Sequence, residues 1–245
     1  MKQKVSDYIA EYIAQWGIRD VFTVTGGGAM HMNDAFGHHK MLHCTYQHHE
    51  QACAMAAEAY ARLGNKMAAV CVTTGPGATN AITGVLGAWM DSIPMLVFSG
   101  QARYATTVSA SGLPLRSMGV QECNIVPVVK SLTKYAHMIV HPENIRYHLE
   151  KALYLAVNGR PGPVWLDIPL DVQGAVIETD DLKAYDPEEN PEQKPREIKD
   201  ETVEQILDKL QESKRPGSFT GEMVYGWQGH TRTFISLLSF WAFRW

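Results

Sequence analysis

The pattern of apolar and polar positions alternates between helical and extended periods over most of the chain. Apolar residues at helical spacing over 5–16 predict an amphipathic helix that ends at Gly17, and the β-rich run DVFTV follows it. The succession then repeats, with strands predicted at 41–46, 67–74, 94–100, 132–140 and 163–169, and helices at 48–63, within 75–91 and at 142–157. Short strands that are apolar on both faces and alternate with helices are typical of a parallel sheet covered on both sides. The pattern therefore predicts an α/β fold.

The composition changes after residue 177. Residues 178–198 are rich in proline and acidic side chains and poor in apolar ones, which predicts a linker. A helix with one apolar face follows, and a second apolar helix is expected at 234–243. About 45 residues after a linker are too few for an independent core. The expected organisation is one domain over 1–177, a linker over 178–198 and an incomplete further domain over 199–245.

Composition and charge narrow the class of protein. Hydrophobic residues make up 45% and charged residues 20%, which is ordinary for a soluble globular protein. The net charge of −4, with no basic patch interleaved with aromatics, argues against a nucleic-acid partner. No run approaches the roughly 18 apolar residues of a membrane span, and the amino terminus lacks the pattern of a signal peptide. The 4 cysteines have no CxxC spacing, which favours free thiols and a cytoplasmic location.

The segment TYQHHEQACAMAAEAYARLG, residues 45–64, starts an alanine-rich helix with two histidines and a glutamate. Glu50 in the first turn would gain from the helix dipole, so a capping acid is the favoured interpretation of this segment alone. A functional interpretation competes with it. The low bulk of the helix allows a backbone or a flat ligand to approach closely, and a carboxyl group at its end could hydrogen-bond a ligand nitrogen.

Two glycine-rich turns separate predicted strands from predicted helices. The TGGGA turn, residues 25–29, is not GxGxxG, so a dinucleotide fingerprint is not supported. The GPG turn, TTGPGATN at residues 73–80, is more specific, because its helix-entry amides with Thr79 or Asn80 could bind a polar ligand. Either could also be a tight structural turn. In open parallel sheets ligands bind at the carboxyl ends of strands, where both turns are expected.

A metal site and a hydrolase site are weaker alternatives. Six of the 10 histidines lie between residues 31 and 49, and His39 and His43 have HxxxH spacing. These two straddle a loop and a strand, and the acid of HExxH is missing, so no metal site is predicted. Serines in the segment after 101 have no GxSxG elbow, which argues against a hydrolase.

Five motifs together resemble the amino-terminal, pyrimidine-binding domain of thiamine-diphosphate enzymes of the acetolactate synthase type. They are VFTVTGGGAM, HHEQACAMAAEAYAR, TTGPGATNAITGVLGAWMDSIPMLVFSGQ, VQECN and NGRPGPVWLDIPLDVQ. The resemblance covers residues 1 to about 175 and implies a three-layer α/β/α domain with a six-stranded parallel sheet. It also implies a 2-keto acid substrate such as pyruvate, a role in branched-chain amino acid biosynthesis, and a homodimer or higher assembly through this domain.

The resemblance also implies roles for individual residues. The family's glutamate that matches Glu50 hydrogen-bonds the N1′ atom of the cofactor's aminopyrimidine and activates it. Further cofactor contacts are expected from Gly26, Gly27, Gly28, Thr74, Gly75, Pro76, Gly77, Asn80 and Arg160. Arg160 matches an arginine that contacts flavin in members that carry FAD. The substrate pocket is expected to include Gln121, Val120 and His49.

Two positions depart from the family pattern: Thr25 stands where proline is frequent, and Val120 where phenylalanine is. In the family, a carboxyl-terminal domain with GDG followed by asparagine holds Mg2+ and the diphosphate. No GDG occurs here, so Mg2+ is expected only through that other domain and the chain is expected to be inactive alone.

Three hypotheses follow from this combination. The first is the pyrimidine-binding part of a thiamine-diphosphate carboligase or decarboxylase, and the second is a non-catalytic remnant that binds the cofactor or dimerises. The third is a Rossmann-like binder of small ligands, which rests on the fold alone. The missing GDG separates the first from the second, and the Glu50 helix with the GPG turn separates both from the third.

Overall fold

The computed structural model describes residues 1–194 and 198–212. Its strands are β1 Lys2–Lys4, β2 Asp20–Thr23, β3 His43–Tyr46, β4 Ala69–Val72, β5 Met95–Gln101, β6 Tyr135–Met138, β7 Pro163–Pro169 and β8 Val176–Glu178. Its helices are α1 Val5–Trp16, α2 Met30–His38, α3 Glu50–Gly64, α4 Pro76–Asn80, α5 Ile82–Met90, α6 Val108–Ser111, α7 Ile125–Val129, α8 Ile145–Val157, α9 Leu170–Gly174 and α10 Asp200–Glu212.

Six strands form one parallel sheet in the order β3-β2-β4-β5-β7-β6. Helices cover both faces, which confirms the predicted α/β/α arrangement with a six-stranded parallel sheet. The chain leaves β2 for β3 on one side and returns to β4 on the other side. This reversal creates a topological switch point between β2 and β4, and a ligand crevice opens at the carboxyl ends of strands at such a point.

The two faces of the sheet have different cores. Bulky side chains from α1, α2 and α8 fill one face: Ile9, Ile13, Phe36, Leu149 and Leu153. On the other face, alanines from α3 and the α4–α5 region pack over strand side chains that include the buried Trp165: Ala54, Ala57, Ala61, Ala81 and Ala88. Successive strand residues alternate between the two cores, as the period-2 geometry of a strand requires.

Helix α5 lies very close to the alanine-rich helix α3. A Cβ atom on Gly84 would lie 2.5 Å from the Cβ of Ala54 and 2.8 Å from the backbone nitrogen of Met55. The alanines of α3 therefore accommodate the backbone of the neighbouring helix. The sequence had predicted that either a backbone or a flat ligand could approach this helix closely.

Several boundaries and elements differ from the pattern-based expectation. β1 pairs antiparallel with β8 outside the main sheet, and strands of three residues are too short to show a period. The helix expected to begin at residue 48 begins at Glu50, because His49 has an extended backbone. The helical stretch after the GPG turn is divided at Ala81 into α4 and α5. The segment expected to be irregular contains the short helix α6.

The first part of the expected linker packs against the domain. Leu182 and Tyr185 are 6% and 8% exposed, and the Tyr185 backbone N–H donates to Glu150 Oε2 over 2.7 Å. Helix α10 has no buried residue. The helix expected at 234–243 lies outside the described residues, and the domain boundaries stay a prediction.

The described helices include none that is both long enough and apolar enough to span a membrane. Cys44, Cys53, Cys71 and Cys123 are free thiols.

Candidate functional site

The two glycine-rich turns meet at the switch point between β2 and β4. The TGGGA turn follows β2 and the GPG turn follows β4, so both lie at the carboxyl edge of the sheet, as predicted. The Gly28 N–H donates to Thr73 Oγ1 over 3.0 Å. A Cβ on Gly26 would overlap the side chain of Thr73, so this close approach requires glycine.

Helix α3 brings Glu50 to the GPG turn. Asn80 Nδ2 donates to Glu50 Oε2 over 3.0 Å. The other oxygen, Oε1, would lie 3.4 Å from a Cβ placed on Gly77. One carboxylate oxygen is thus held by an amide, while the other faces a position that carries no side chain. Among the described residues no group donates a hydrogen bond to Oε1, so this oxygen retains its capacity to accept one.

The side-chain cap of α3 comes from His49. Its Nδ1 accepts a hydrogen bond from the Gln51 N–H over 3.1 Å, and its backbone is extended as an N-cap requires. The carboxylate of Glu50 contacts Asn80 instead. His49 thus provides the side-chain cap, while Glu50 lies in the first turn of α3, where the helix dipole favours a carboxylate as the sequence predicted. The pocket role expected for His49 stays a prediction.

The VQECN segment, residues 120–124, lies against the GPG turn. Gly75 has φ +60°, and a Cβ there would overlap the backbone carbonyl of Gln121. Gln121 itself has φ +56°, a conformation that is uncommon for residues other than glycine. Val120 is 84% exposed. The structure thus brings Gln121 and Val120, both expected at the substrate pocket, to the edge of the sheet where Glu50 lies.

Arg160 lies at the opposite edge. It precedes β7, and its Nε donates to the Oγ of Ser92, which precedes β5, over 2.6 Å. Strands rise roughly 3.3 Å per residue, so the seven-residue strands β5 and β7 separate the two edges by about 20 Å. Within this chain the structure does not bring Arg160 together with Glu50, and its expected contact with FAD stays a prediction.

A buried polar network that sequence reasoning missed lies under the site. Trp165 Nε1 donates to Ser99 Oγ over 2.8 Å, and Ser99 Oγ donates to Asp167 Oδ1 over 2.6 Å. Gln101 Nε2 donates to Asp167 Oδ2 over 3.1 Å, and Thr74 Oγ1 donates to Gln101 Oε1 over 2.8 Å. A lone acid inside the apolar strand PVWLDIP was the available sequence signal.

Asp167 is fully buried. Desolvation raises its pKa to about 7, while the hydrogen bonds from Ser99 and Gln101 act in the opposite direction. This carboxyl group therefore titrates near neutral pH within the network.

A second buried glutamine holds the TGGGA turn. Gln173 Nε2 donates to the carbonyls of Gly28 and Ile168, each over 2.7 Å. Asn33 supports the same turn by accepting from the Gly26 N–H over 3.3 Å. Gln173 follows β7 and lies 145 positions from Gly28, so no local sequence pattern could have linked the two.

Three of the six clustered histidines pair with separate carboxylates. His39 contacts Glu11 over 3.1 Å, His38 contacts Asp34 over 3.1 Å, and His43 contacts Asp20 over 3.2 Å. Among the residues that the structure describes, no three His, Cys, Asp or Glu side chains are grouped so that they could hold a metal ion.

Comparison with known proteins gives consistent matches. Residues 3–125 match the family model described as thiamine pyrophosphate enzyme, N-terminal TPP binding domain. The chain is 32% identical over 222 residues to an acetolactate synthase, chloroplastic, of Arabidopsis thaliana, covering 89% of this chain and 32% of the relative. It is 34% identical over 226 residues to acetolactate synthase 2, chloroplastic, of Zea mays, covering 89% and 33%.

A bacterial acetolactate synthase also matches the chain. The chain is 33% identical over 217 residues to the acetolactate synthase large subunit of Lactococcus lactis subsp. lactis, covering 88% of this chain and 36% of the relative. The chain therefore spans about a third of the length of the curated relatives that it matches.

Proposed function

The chain belongs to the thiamine pyrophosphate enzyme family, and from that premise we propose that its Glu50 binds the aminopyrimidine of thiamine diphosphate. The observation that carries the proposal is the placement of the carboxylate. Asn80 holds Oε2 at the topological switch point, and among the described residues no group donates a hydrogen bond to Oε1. Glu50 is partly buried rather than extended into solvent.

The donor set fits an aminopyrimidine. A carboxyl group can share a proton with the ring atom N1′ of an aminopyrimidine. When bound, thiamine diphosphate supplies the nucleophilic carbon that attacks the carbonyl of a 2-keto acid such as pyruvate. In this proposal Glu50 holds the proton at N1′, and Asn80 keeps the carboxylate oriented towards it.

The remaining contacts of the cofactor belong to the same proposal. The TGGGA turn would border the reacting end of the cofactor, because it meets the GPG turn at Thr73. Gln121 and Val120 would line the substrate side. The diphosphate and its magnesium ion would be held by residues other than these, as the resemblance implies.

We also propose that the chain forms a homodimer through the outer surface of α3 and α5. This surface carries exposed apolar side chains on both helices: Met55 at 46%, Leu63 at 86%, Leu86 at 38%, Trp89 at 38% and Met90 at 66%. Leu86, Trp89 and Met90 share one face of α5, since they are three and four positions apart. Apolar surface of this kind marks an interaction site. Sedimentation of the chain should show a dimer that Trp89→Glu dissociates.

The experiment for Glu50 uses thiamine labelled with 15N at N1′ and follows its NMR signal on addition of the 245-residue chain. A shift of the N1′ resonance, with amide shifts at Gly77 and Asn80, is expected for the native chain. Glu50→Gln should abolish most of the N1′ shift, because an amide cannot share the proton. Glu204→Gln on α10 is the matched control and should leave the shift unchanged.

Two results would contradict the proposal. One is an N1′ shift that is equal in the native chain and in Glu50→Gln. The other is a set of amide shifts that avoids the GPG turn. A dimer with no N1′ shift in any variant would instead favour the alternative of a non-catalytic dimerising module.

A further inference from the structure

We propose that Gln101 is a positioning residue that ties the GPG turn and the VQECN segment together beneath the Glu50 site. The proposal deepens the proposed function, because it concerns the geometry of the same site. Gln101 does not contact Glu50 in the structure, so its effect on Glu50 would pass through the turn that carries Gly77 and Asn80. It is therefore not a catalytic residue.

The amide of Gln101 is buried and fully hydrogen-bonded. The residue is 1% exposed. Its Oε1 accepts from Thr74 Oγ1 over 2.8 Å and from the Ala102 N–H over 3.0 Å. Its Nε2 donates to the Cys123 carbonyl over 2.8 Å and to Asp167 Oδ2 over 3.1 Å. Because a backbone N–H can only donate and a carbonyl can only accept, Ala102 and Cys123 fix the orientation of this amide.

These partners belong to the two segments that form the site. Thr74 immediately precedes Gly75, and Cys123 lies two residues after Gln121. The two segments are in backbone contact where Gly75 meets Gln121. The side chain of Gln101 links them a second time, through its hydrogen bonds to Thr74 and to the Cys123 carbonyl. Gln101 therefore adds a side-chain link between the two segments to the backbone contact of Gly75 with Gln121.

The base of this arrangement is rigid. Gln101 is the last residue of the central strand β5, and Asp167 lies on the adjacent strand β7. Ser99, which is also fully buried, donates to the other oxygen of Asp167 and accepts from the buried Trp165 Nε1. A network in which every polar atom has a partner confers rigidity, whereas loss of one member leaves buried groups unsatisfied. This supports a role in holding the two segments and not only in ending the strand.

The test is hydrogen–deuterium exchange of the full chain by mass spectrometry, without ligand. Gln101→Met keeps the length of the side chain but cannot form the four hydrogen bonds. We expect exchange to accelerate about tenfold in residues 74–80 and 120–124, because a lost buried hydrogen bond lowers the local opening free energy. Exchange in β2 and β4 should stay as in the native chain. Uniform acceleration along the chain, or no change in the two segments, would overturn the proposal.

Two matched comparisons separate positioning from general stability. Thr133→Val also removes a buried hydroxyl, which donates to the Val129 carbonyl over 2.9 Å, and should not accelerate exchange in 74–80. Thr74→Val should accelerate it, and Thr74→Ser, which keeps the hydroxyl, should not. These Thr74 variants decide the question if Gln101→Met does not fold, and equal exchange in both would count against the proposal.

The result is independent of thiamine binding. If the segments loosen as expected but no variant shifts the N1′ resonance of labelled thiamine, Gln101 positions the segments and the thiamine proposal fails. If the native chain shifts N1′ while Gln101→Met leaves the exchange of both segments unchanged, the thiamine proposal stands and the positioning role of Gln101 is wrong.

Discussion

The two faces of the central sheet are built by opposite means. On the face covered by α1, α2 and α8, large apolar side chains from the helices and strands pack against one another. On the face covered by α3 and α5, alanines and Gly84 let the backbones approach closely. Small residues do not fill space by themselves, so the second face depends on fixed backbone positions. The Glu50 site lies at the edge of that second face, where fixed positions are most useful.

The strands show the same contrast at their buried positions. In β5 and β7, the residues that face the bulky side are apolar, namely Leu96, Phe98, Leu166 and Ile168. The residues that alternate with them include Ser99, Gln101 and Asp167, which form the buried network under the site. The alanine-rich face thus carries both the close backbone contacts and the buried polar groups. An added methyl group should disturb the backbone contacts, and a change of pH should disturb the polar groups.

The largest effect should come from a cavity on the bulky face. Phe36 is 1% exposed, and its ring lies 5.6 Å from that of Phe98. Phe36→Ala should lower the free energy of unfolding by about 3–5 kcal/mol, measured by urea titration, because the cavity cannot collapse. Leu113→Ala, at a site that is 56% exposed and outside the proposed dimer surface, should change it by less than about 0.5 kcal/mol. Similar losses in both variants would show that packing around Phe36 does not stabilise the bulky face.

The second largest effect should be a dependence of stability on pH that originates on the alanine-rich face. The folded pKa of Asp167 is raised from 3.8 to about 7, chiefly by desolvation. The native state therefore binds the proton more tightly than the unfolded state does. The contribution of this group to stability is fully present below the unfolded pKa and is lost as the pH rises through about 7.

Asp167→Asn should remove this dependence of the free energy of unfolding on pH. The native chain should lose on the order of 2–4 kcal/mol more than Asp167→Asn between pH 4 and pH 8, since one pKa unit corresponds to about 1.4 kcal/mol. The measurement is urea unfolding of both proteins across this range. Parallel stability curves would show that the buried carboxyl group does not titrate with folding.

The sequence was sufficient for the sheet and for the placement of the glycine turns, because both depend on local period and on turn chemistry. It could not assign the cap to His49, since that depends on which of two adjacent residues leaves the helix. The roles of Gln101 and Gln173 could not be predicted because their hydrogen-bond partners are distant in sequence, such as Gly28 for Gln173.

A smaller effect should follow from closing the gap between α3 and α5. A methyl group on Gly84 would lie 2.5 Å from Ala54 Cβ, so Gly84→Ala should destabilise by about 1–3 kcal/mol, even though alanine favours helices. Gly87, on the same helix, has no atom within 4 Å of an added Cβ. Gly87→Ala should therefore stabilise by about 0.5–1 kcal/mol. Thermal unfolding of the two variants should shift in opposite directions, and a shift in the same direction would show that backbone proximity does not limit this face.

The smallest effect concerns how the helices of the two faces are anchored. Helices α1, α2 and α8 of the bulky face and α5 of the alanine-rich face have no side-chain cap at their N-termini, whereas α3 has His49. Packing of large side chains can hold α1, α2 and α8, and α5 follows α4 directly at Ala81, but the alanine-rich α3 has less packing of this kind. His49→Ala should therefore lower the free energy of unfolding, measured by urea titration, by about 1 kcal/mol. Asparagine is a strong N-cap residue, so His49→Asn should keep most of the native stability. Glu50→Gln should change stability less than His49→Ala does, because its carboxylate contacts Asn80 rather than the first turn's amides. If Glu50→Gln is the more destabilising of the two, then Glu50 anchors the helix after all, and its availability to a ligand would have to be reconsidered.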